Sequence, residues 1–272
     1  MQSGSFIEEL MPKYRLQVLK MGEADVPGPE VYWMSHWFGW ETLYFYMVVI
    51  QGEGITAIIN TGPPDDLTAL NAFWLAGYGD KRTEMRRTES ERPLAALASI
   101  AIKPSDVEYI FVTPLQAYAD ANISKFANAK KIFISRRGWI EDFFAPPPPA
   151  SDFPRKLMIP DDQVVYLTTE VLDRVHLVED GEEALPGIRM IWAGVHHRSS
   201  MAIAIPTHKG NVIVSDCFFK YGNIEKNHPL GVNESLEEAR RTYERVRREA
   251  DITIPLYDPE VLERFPGGVI CG

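Results

Sequence analysis

The sequence predicts an α/β chain folded as an αββα sandwich, two β-rich halves face to face with helices outside. Three features carry that expectation. β-type segments arrive as hairpins with short turns, at 44–50 with 55–60 and again at 201–205 with 211–215. Helical stripes and a βαβ-like passage connect the two hairpins. And 272 residues, 45% of them hydrophobic, suffice for one large core.

Taken in order, 44–50 is aromatic and β-branched, as a buried strand should be; 51–54 supplies a turn and 55–60 returns as its partner. Residues 65–75 carry Leu67, Leu70 and Trp74 at helical spacing, and 77–90 is polar and breaker-rich, a surface loop or lid. A helix restarts over 93–101, with Pro93 in its first turn and Leu94, Leu97 and Ala101 on one face. Strand 107–113, helix 121–126 and strand 131–135 make the βαβ-like passage. A short helix over 139–144 stops at the prolines 146–149, read as one stiff surface turn. Strands follow at 164–167, 175–178 and 188–192, then the second hairpin around His208, Lys209 and Gly210. A helix over 235–250 opens with a Ser-x-x-Glu capping box, Ser235 to Glu238; strand 252–256 and helical turn 259–264 close the pattern. One domain over 1–272 is expected, with 1–43 an N-terminal extension packing on the sandwich.

A net charge of −10 and a pI near 5.2 argue against nucleic acid or an anionic membrane as partner, since both need a basic face. The basic clusters 81–87 and 240–248 read as solvated faces. Cys217 and Cys271 stand far apart, so no disulfide framework is indicated and a reducing compartment is the default. No signal-peptide core and no membrane-length apolar run are visible, which makes a cytoplasmic protein the expectation.

Several segments, in order, resemble the metallo-β-lactamase superfamily and especially its acyl-homoserine-lactonase-like branch. AIINTG (57–62) looks like the strand ending in Asp-Thr-Gly, and 110–129 follows the segment that normally reads Thr-His-x-His-x-Asp-His. GVHHRSSM (194–201) resembles the Gly-Gly-His loop, VIVSDC (212–217) the strand delivering a bridging Asp, and IPLYDP (254–259) the Pro-Gly-His-Asp-Pro segment. The resemblance covers about 44–268 and implies a metallo-β-lactamase-like sandwich with a site at one edge, a small-molecule substrate and a homodimer.

The resemblance also implies seven His and Asp ligands for two metals. Here Pro114, Gln116, Tyr118 and Ala119 stand where His, His, Asp and His would, and His196, Asp216 and Tyr257 fill the later positions. Asn60 replaces the Asp of Asp-Thr-Gly. Zinc sites need about four donors, at least three from protein when catalytic. The dinuclear site is therefore expected to be dismantled, with no metal and no other cofactor.

If the fold holds, the old ligand positions still converge. His196 or His197, oriented by Asp216, is then a candidate general base or acid, with Tyr118 or Tyr257 as phenol donor. Gln116, Asp120, His197, Arg198 and Trp37 are candidates for substrate binding, Arg198 through a substrate carboxylate and Trp37 within the dense aromatic cluster 32–40. The competing reading is that His196 and Asp216 merely satisfy each other. Cys217 reads as a buried inert thiol and His36 as structural. Three functional readings stay open: a metal-independent hydrolase-like enzyme for a small lactone-like or carbonyl compound; a non-catalytic ligand- or partner-binding relative; and a single unconventional metal on His196, Asp216 and Tyr257.

Overall fold

The computed structural model describes residues 13–145 and 159–271, so the proline run 146–149 and the N-terminal segment 1–12 lie outside the described residues. Its strands are β1 (Arg15–Pro27), β2 (Trp40–Gly52), β3 (Ile55–Ile59), β4 (Tyr109–Phe111), β5 (Lys131–Ser135), β6 (Val175–Val178), β7 (Glu182–Leu185), β8 (Ile188–Trp192), β9 (Met201–Thr207), β10 (Gly210–Ser215), β11 (Ile252–Pro255) and β12 (Val269–Cys271). They form a seven-stranded sheet, β12-β1-β2-β3-β4-β5-β6, and a five-stranded sheet, β11-β10-β9-β8-β7. The helices used below are α1 (Gly28–Val31), α2 (Thr68–Tyr78), α3 (Pro93–Ser99), α4 (Ala117–Asp120), α5 (Arg136–Gly138), α6 (Asp161–Val165), α7 (Tyr221–Glu225), α8 (Leu236–Glu249) and α9 (Glu260–Arg264).

Strand alternation explains the layering. Side chains i and i+2 share a face, so Val48, Ile50 and Ile59 enter the core between the sheets, against Met190, Ile203 and Ile205. Their neighbours Met47, Val49 and Ile58 bury on the opposite face with Leu97 of α3, Trp139 and Leu167. On the far side, α8 covers the second sheet with Ala239, Tyr243 and Val246. Each fully buried aliphatic side chain of this kind contributes roughly 1.5–3 kcal/mol. Helices, sheet, sheet, helices: the architecture is the αββα sandwich.

The first hairpin, the strands at β5, β6 and β8, the second hairpin and α8 stand where the sequence places them. Ser235 caps α8 by accepting from the Glu238 N–H, but the Glu238 carboxylate is held by Arg198 at 2.7 Å, so it does not close a capping box. The expected strand at 164–167 is instead helical, α6 followed by a π turn over Tyr166–Glu170. Its apolar run is too short for periodicity to separate strand from helix; Leu167 is buried while Val165 is 54% exposed. The expected helix at 121–126 is also displaced, to α4 and a 3-10 turn at Ile123–Lys125. Asn122 breaks it by donating through Nδ2 to the carbonyls of Thr61, Gly62 and Pro63.

Among the described residues three strands went unread in the sequence: β1, β7 and the three-residue β12. β1 pairs with β2 along nearly its whole length, but a register shift between Lys20 and Gly22 flips the phase of its alternation. β7 is acidic and paired on one side only. The polar 77–90 segment is partly anchored, with Thr83 and Met85 buried and Glu23 bridged to Arg86. Among the described residues no helix is long and apolar enough to cross a membrane.

Candidate active site

Two parallel pairings set the edge at which the site forms. β3 and β4 run in register from Ala57↔Tyr109 to Ile59↔Phe111, and β10 and β11 end together at Ser215↔Pro255. The segments leaving these four strands carry Asn60, Thr113 to Asp120, Asp216 and Tyr257. The loop from β8 to β9 joins them, since Ala202 pairs with Ser215.

Local hydrogen bonds lock each segment. Asn60, with φ 63°, donates from Nδ2 to the Thr113 carbonyl at 2.7 Å and accepts the Thr113 N–H at Oδ1 at 2.8 Å. An amide can do both; a carboxylate in that place could only accept. In the β8–β9 loop, Gly194 and Val195 adopt left-handed backbone, and the Ala193 and Gly194 N–H groups both donate to the Ser200 carbonyl. Asp216, fully buried, accepts the Thr113 hydroxyl at 2.5 Å on Oδ1 and the Ser200 hydroxyl on Oδ2. His196 Nδ1 lies 3.3 Å from the same Oδ2. With Nδ1–H donating to the carboxylate, Nε2 is the ring nitrogen left for other work.

A cavity of about 170 Å³ opens over this edge. Gln116, Tyr118, His196, His197 and Tyr257 line it, so five of the expected site residues are brought together. Phe45, Trp74, Phe219, Leu43 and Val26 make most of the remaining wall apolar. The rings interlock: Phe45 sits 5.3 Å from Tyr118 and 5.5 Å from Tyr257, and Phe219 sits 4.7 Å from both His196 and Tyr257. Burial holds the Tyr118 and Tyr257 phenols well above the usual phenol range, so both remain O–H donors. The Tyr257 hydroxyl is buried beside the Tyr118 phenol and has no other hydrogen-bond partner among the described residues. Burial pushes His197 well below the usual imidazole range, aided by His196 at 4.0 Å between ring centres, so His197 is neutral.

The other expected residues are placed elsewhere. Asp216 lies behind His196 and not on the wall; it acts on the cavity through the imidazole and through its charge, which helps hold the Tyr118 and Tyr257 phenols up. Arg198 points to α8 and its approach, paired with Glu234 and Glu238 and set over the Trp192 ring. Its charge is satisfied there, which leaves none for a substrate carboxylate. Trp37 is 59% exposed, on a surface loop with Trp33, Met34 and Phe38. Cys217 is in the core, its thiol pushed up by burial. His36 is bonded to Glu41 at 3.0 Å on the surface. Glu30, Tyr78 and Thr83 do line the cavity, and nothing in their local sequence marks them.

Asp120 is the anomaly. It is fully buried off the cavity, and neither carboxyl oxygen has a hydrogen-bond partner. Burial raises its pKa well above the usual carboxylate range, so the folded protein holds the neutral acid. Because the folded value exceeds the unfolded one of about 3.9, the stability this group contributes is fully present below about pH 4 and lost as pH rises through the folded pKa. Asp120→Asn, isosteric and non-titrating, is expected to raise stability at pH 7–8, with the gain vanishing near pH 4. Urea unfolding at pH 4, 6 and 8 measures it; a pH-independent difference would refute this account of Asp120.

The residues present do not fit a dinuclear metal centre. Pro114 and Ala119 offer no side-chain donor, both Asp216 oxygens already accept protein hydroxyls, and His196 Nδ1 faces Asp216. Tyr257 would have to bind as phenolate, the form that burial disfavours. Among the described residues no group of three or more His, Cys, Asp or Glu side chains is placed to hold a metal ion.

No family model and no curated protein matches the chain. Solved structures do. An N-acyl homoserine lactone hydrolase, with the product N-hexanoyl-L-homoserine bound at its catalytic metal centre, is similar at TM-score 0.75 and 18% identity, over 94% of this chain and 99% of that one. A B. thuringiensis AiiA mutant with N-decanoyl-L-homoserine at its active site gives the same TM-score, 0.75, at 18% identity over 94% and 99%. A Thermotoga maritima protein assigned to the metallo-beta-lactamases gives 0.56 at 15% identity over 89% and 96%. Strand layers and these likenesses agree: the chain has the metallo-β-lactamase fold, in the form seen in N-acyl homoserine lactone hydrolases.

Proposed function

We propose that this chain is a hydrolase-like protein that takes a compact lactone or similar carbonyl compound into the cavity and acts on it with its own side chains, without paired zinc ions. The observation that carries the reading is the buried Tyr257 hydroxyl beside the Tyr118 phenol, on the same apolar wall as the His196–Asp216 pair. Two phenols bonded to each other use one O–H and leave the second to donate, and a ligand carbonyl accepts it. In the reaction, His196 Nε2 takes a proton from water as the water oxygen bonds to the carbonyl carbon. Tyr257, with Tyr118, donates to the developing oxyanion. The ring C–O bond then breaks and the imidazolium returns its proton to the leaving alkoxide.

Size narrows the substrate. A cavity of about 150 Å³ holds a benzene-sized molecule, so the 170 Å³ here suits a monocycle of about six to ten heavy atoms. The long acyl chains carried by ligands of the structural neighbours exceed it. Two observations favour the non-catalytic alternative: Thr113, Ser200 and His196 already satisfy Asp216, and among the described residues no Ser or Cys nucleophile lines the cavity.

Hydrolysis of γ-butyrolactone and δ-valerolactone, followed by pH-stat with a chelator present, tests the choice. Turnover above the uncatalysed rate that survives chelation is expected. Saturable binding without turnover would establish the non-catalytic reading, and turnover that appears only with added zinc would overturn the proposal.

A further inference from the structure

Among the described residues lining the cavity, Glu30 is the one carboxylate. It sits in α1, between Pro29 and the buried Val31, and its backbone is pinned: the Gly231 and Val232 N–H groups both donate to its carbonyl, at 2.8 and 3.0 Å. The side chain therefore enters the cavity from a fixed point. One of its oxygens accepts the Tyr78 hydroxyl from α2 at 2.9 Å. Among the described residues no Lys, Arg or His forms an ion pair with it, whereas Glu41, Glu234 and Glu238 each have one. Among the described residues no Lys or Arg lines the wall. His197 is neutral, both active-site phenols are protonated, His196 faces Asp216, and the remaining lining is apolar, amide or hydroxyl.

A half-buried carboxylate without a counter-ion loses part of its hydration, and the group that restores it is a cation or a strong N–H donor. We propose that Glu30, oriented by Tyr78, binds an ammonium group of the ligand, so that the compound taken up is an amino-substituted lactone, ester or related carbonyl compound. The identification of the substrate class rests on the cavity being a small-molecule site, as proposed above. Burial lifts the Glu30 carboxyl to about 6, so at pH 7.5 the carboxylate form that this contact needs is dominant.

Three probes sharing one apolar body separate charge from shape: cyclohexylammonium, cyclohexanol and cyclohexanecarboxylate, each small enough for the cavity. Isothermal titration calorimetry at pH 7.5 is expected to show cyclohexylammonium binding about ten- to a hundredfold more tightly than cyclohexanol, and the carboxylate most weakly. In Glu30→Gln the ammonium preference is expected to collapse to within about twofold while cyclohexanol affinity stays the same. Equal affinities in the wild-type protein, or a preference that persists in Glu30→Gln, would overturn the assignment. If Glu30→Gln fails to fold, the ranking of the probes on the wild-type protein decides alone. Cyclohexanol and cyclohexylammonium binding equally, with γ-butyrolactone still hydrolysed, sinks only the role of Glu30. No probe binding and no lactone turnover sinks the cavity reading with it.

Discussion

Replacing His196 with alanine is expected to lower kcat/KM for lactone hydrolysis by about 10²–10⁴-fold, the usual worth of a positioned general base. The loss should fall mainly on kcat, because the imidazole works in the transition state and the apolar wall supplies most of the binding. The fold should survive. Asp216 keeps the Thr113 and Ser200 hydroxyls as donors, so the melting temperature should move by no more than a few degrees. Tyr257→Phe is the companion variant; it deletes only a hydroxyl whose neighbour is the Tyr118 phenol. Removing one oxyanion donor typically costs about 10²–10³ in kcat, and here it should leave stability unchanged or slightly raised. A fall of less than about fivefold in both variants would mean that His196 and Asp216 are a satisfied buried pair and nothing more.

The second large effect is on the scaffold. Gly138 has ordinary helical backbone, φ −63°, so its lack of a side chain serves close approach and not an unusual turn. A Cβ there would lie 2.2 Å from Ser199 Cα and 2.7 Å from Ser199 N. Both are backbone atoms, unable to swing aside. Ser199 cannot retreat either: its N–H donates to Asp142 at 2.8 Å and its hydroxyl accepts the Leu115 N–H at 3.0 Å. Gly138→Ala is therefore expected to destabilise by about 3–5 kcal/mol, which for a chain of this size is a drop of roughly 6–20 °C in Tm. The displaced loop is the one carrying His196, His197 and Ser200, so turnover should fall as well. Calorimetry on the variant measures the first effect; a change under about 1 kcal/mol would show that the contact yields.

The sandwich was legible in the sequence because its strongest signals are local. Residues 44–50 are a continuous aromatic and β-branched run closed by a turn, and Ser235 announces the start of α8. Strand β1 was not, because the shift near Gly22 breaks the period that marks a strand. The 164–167 segment was misread because four apolar residues satisfy helix and strand templates equally.

At the site, the resemblance of the ordered motifs implied that Gln116, Tyr118, His196, His197 and Tyr257 meet at one edge, and the sheet pairings bring these five around one opening. Residue identity also decided that a dinuclear centre lacks its donors, because Pro114 and Ala119 cannot ligate in any conformation. What pairs with what was another matter. Arg198 is spent on Glu234 and Glu238, Asp120 is a neutral acid behind the wall, Trp37 faces solvent, and Glu30 enters the cavity from a segment with no motif at all. Charge pairing, desolvation and close approach depend on residues tens to hundreds of positions apart in the chain. Only the folded packing brings them within the few ångströms over which those forces act.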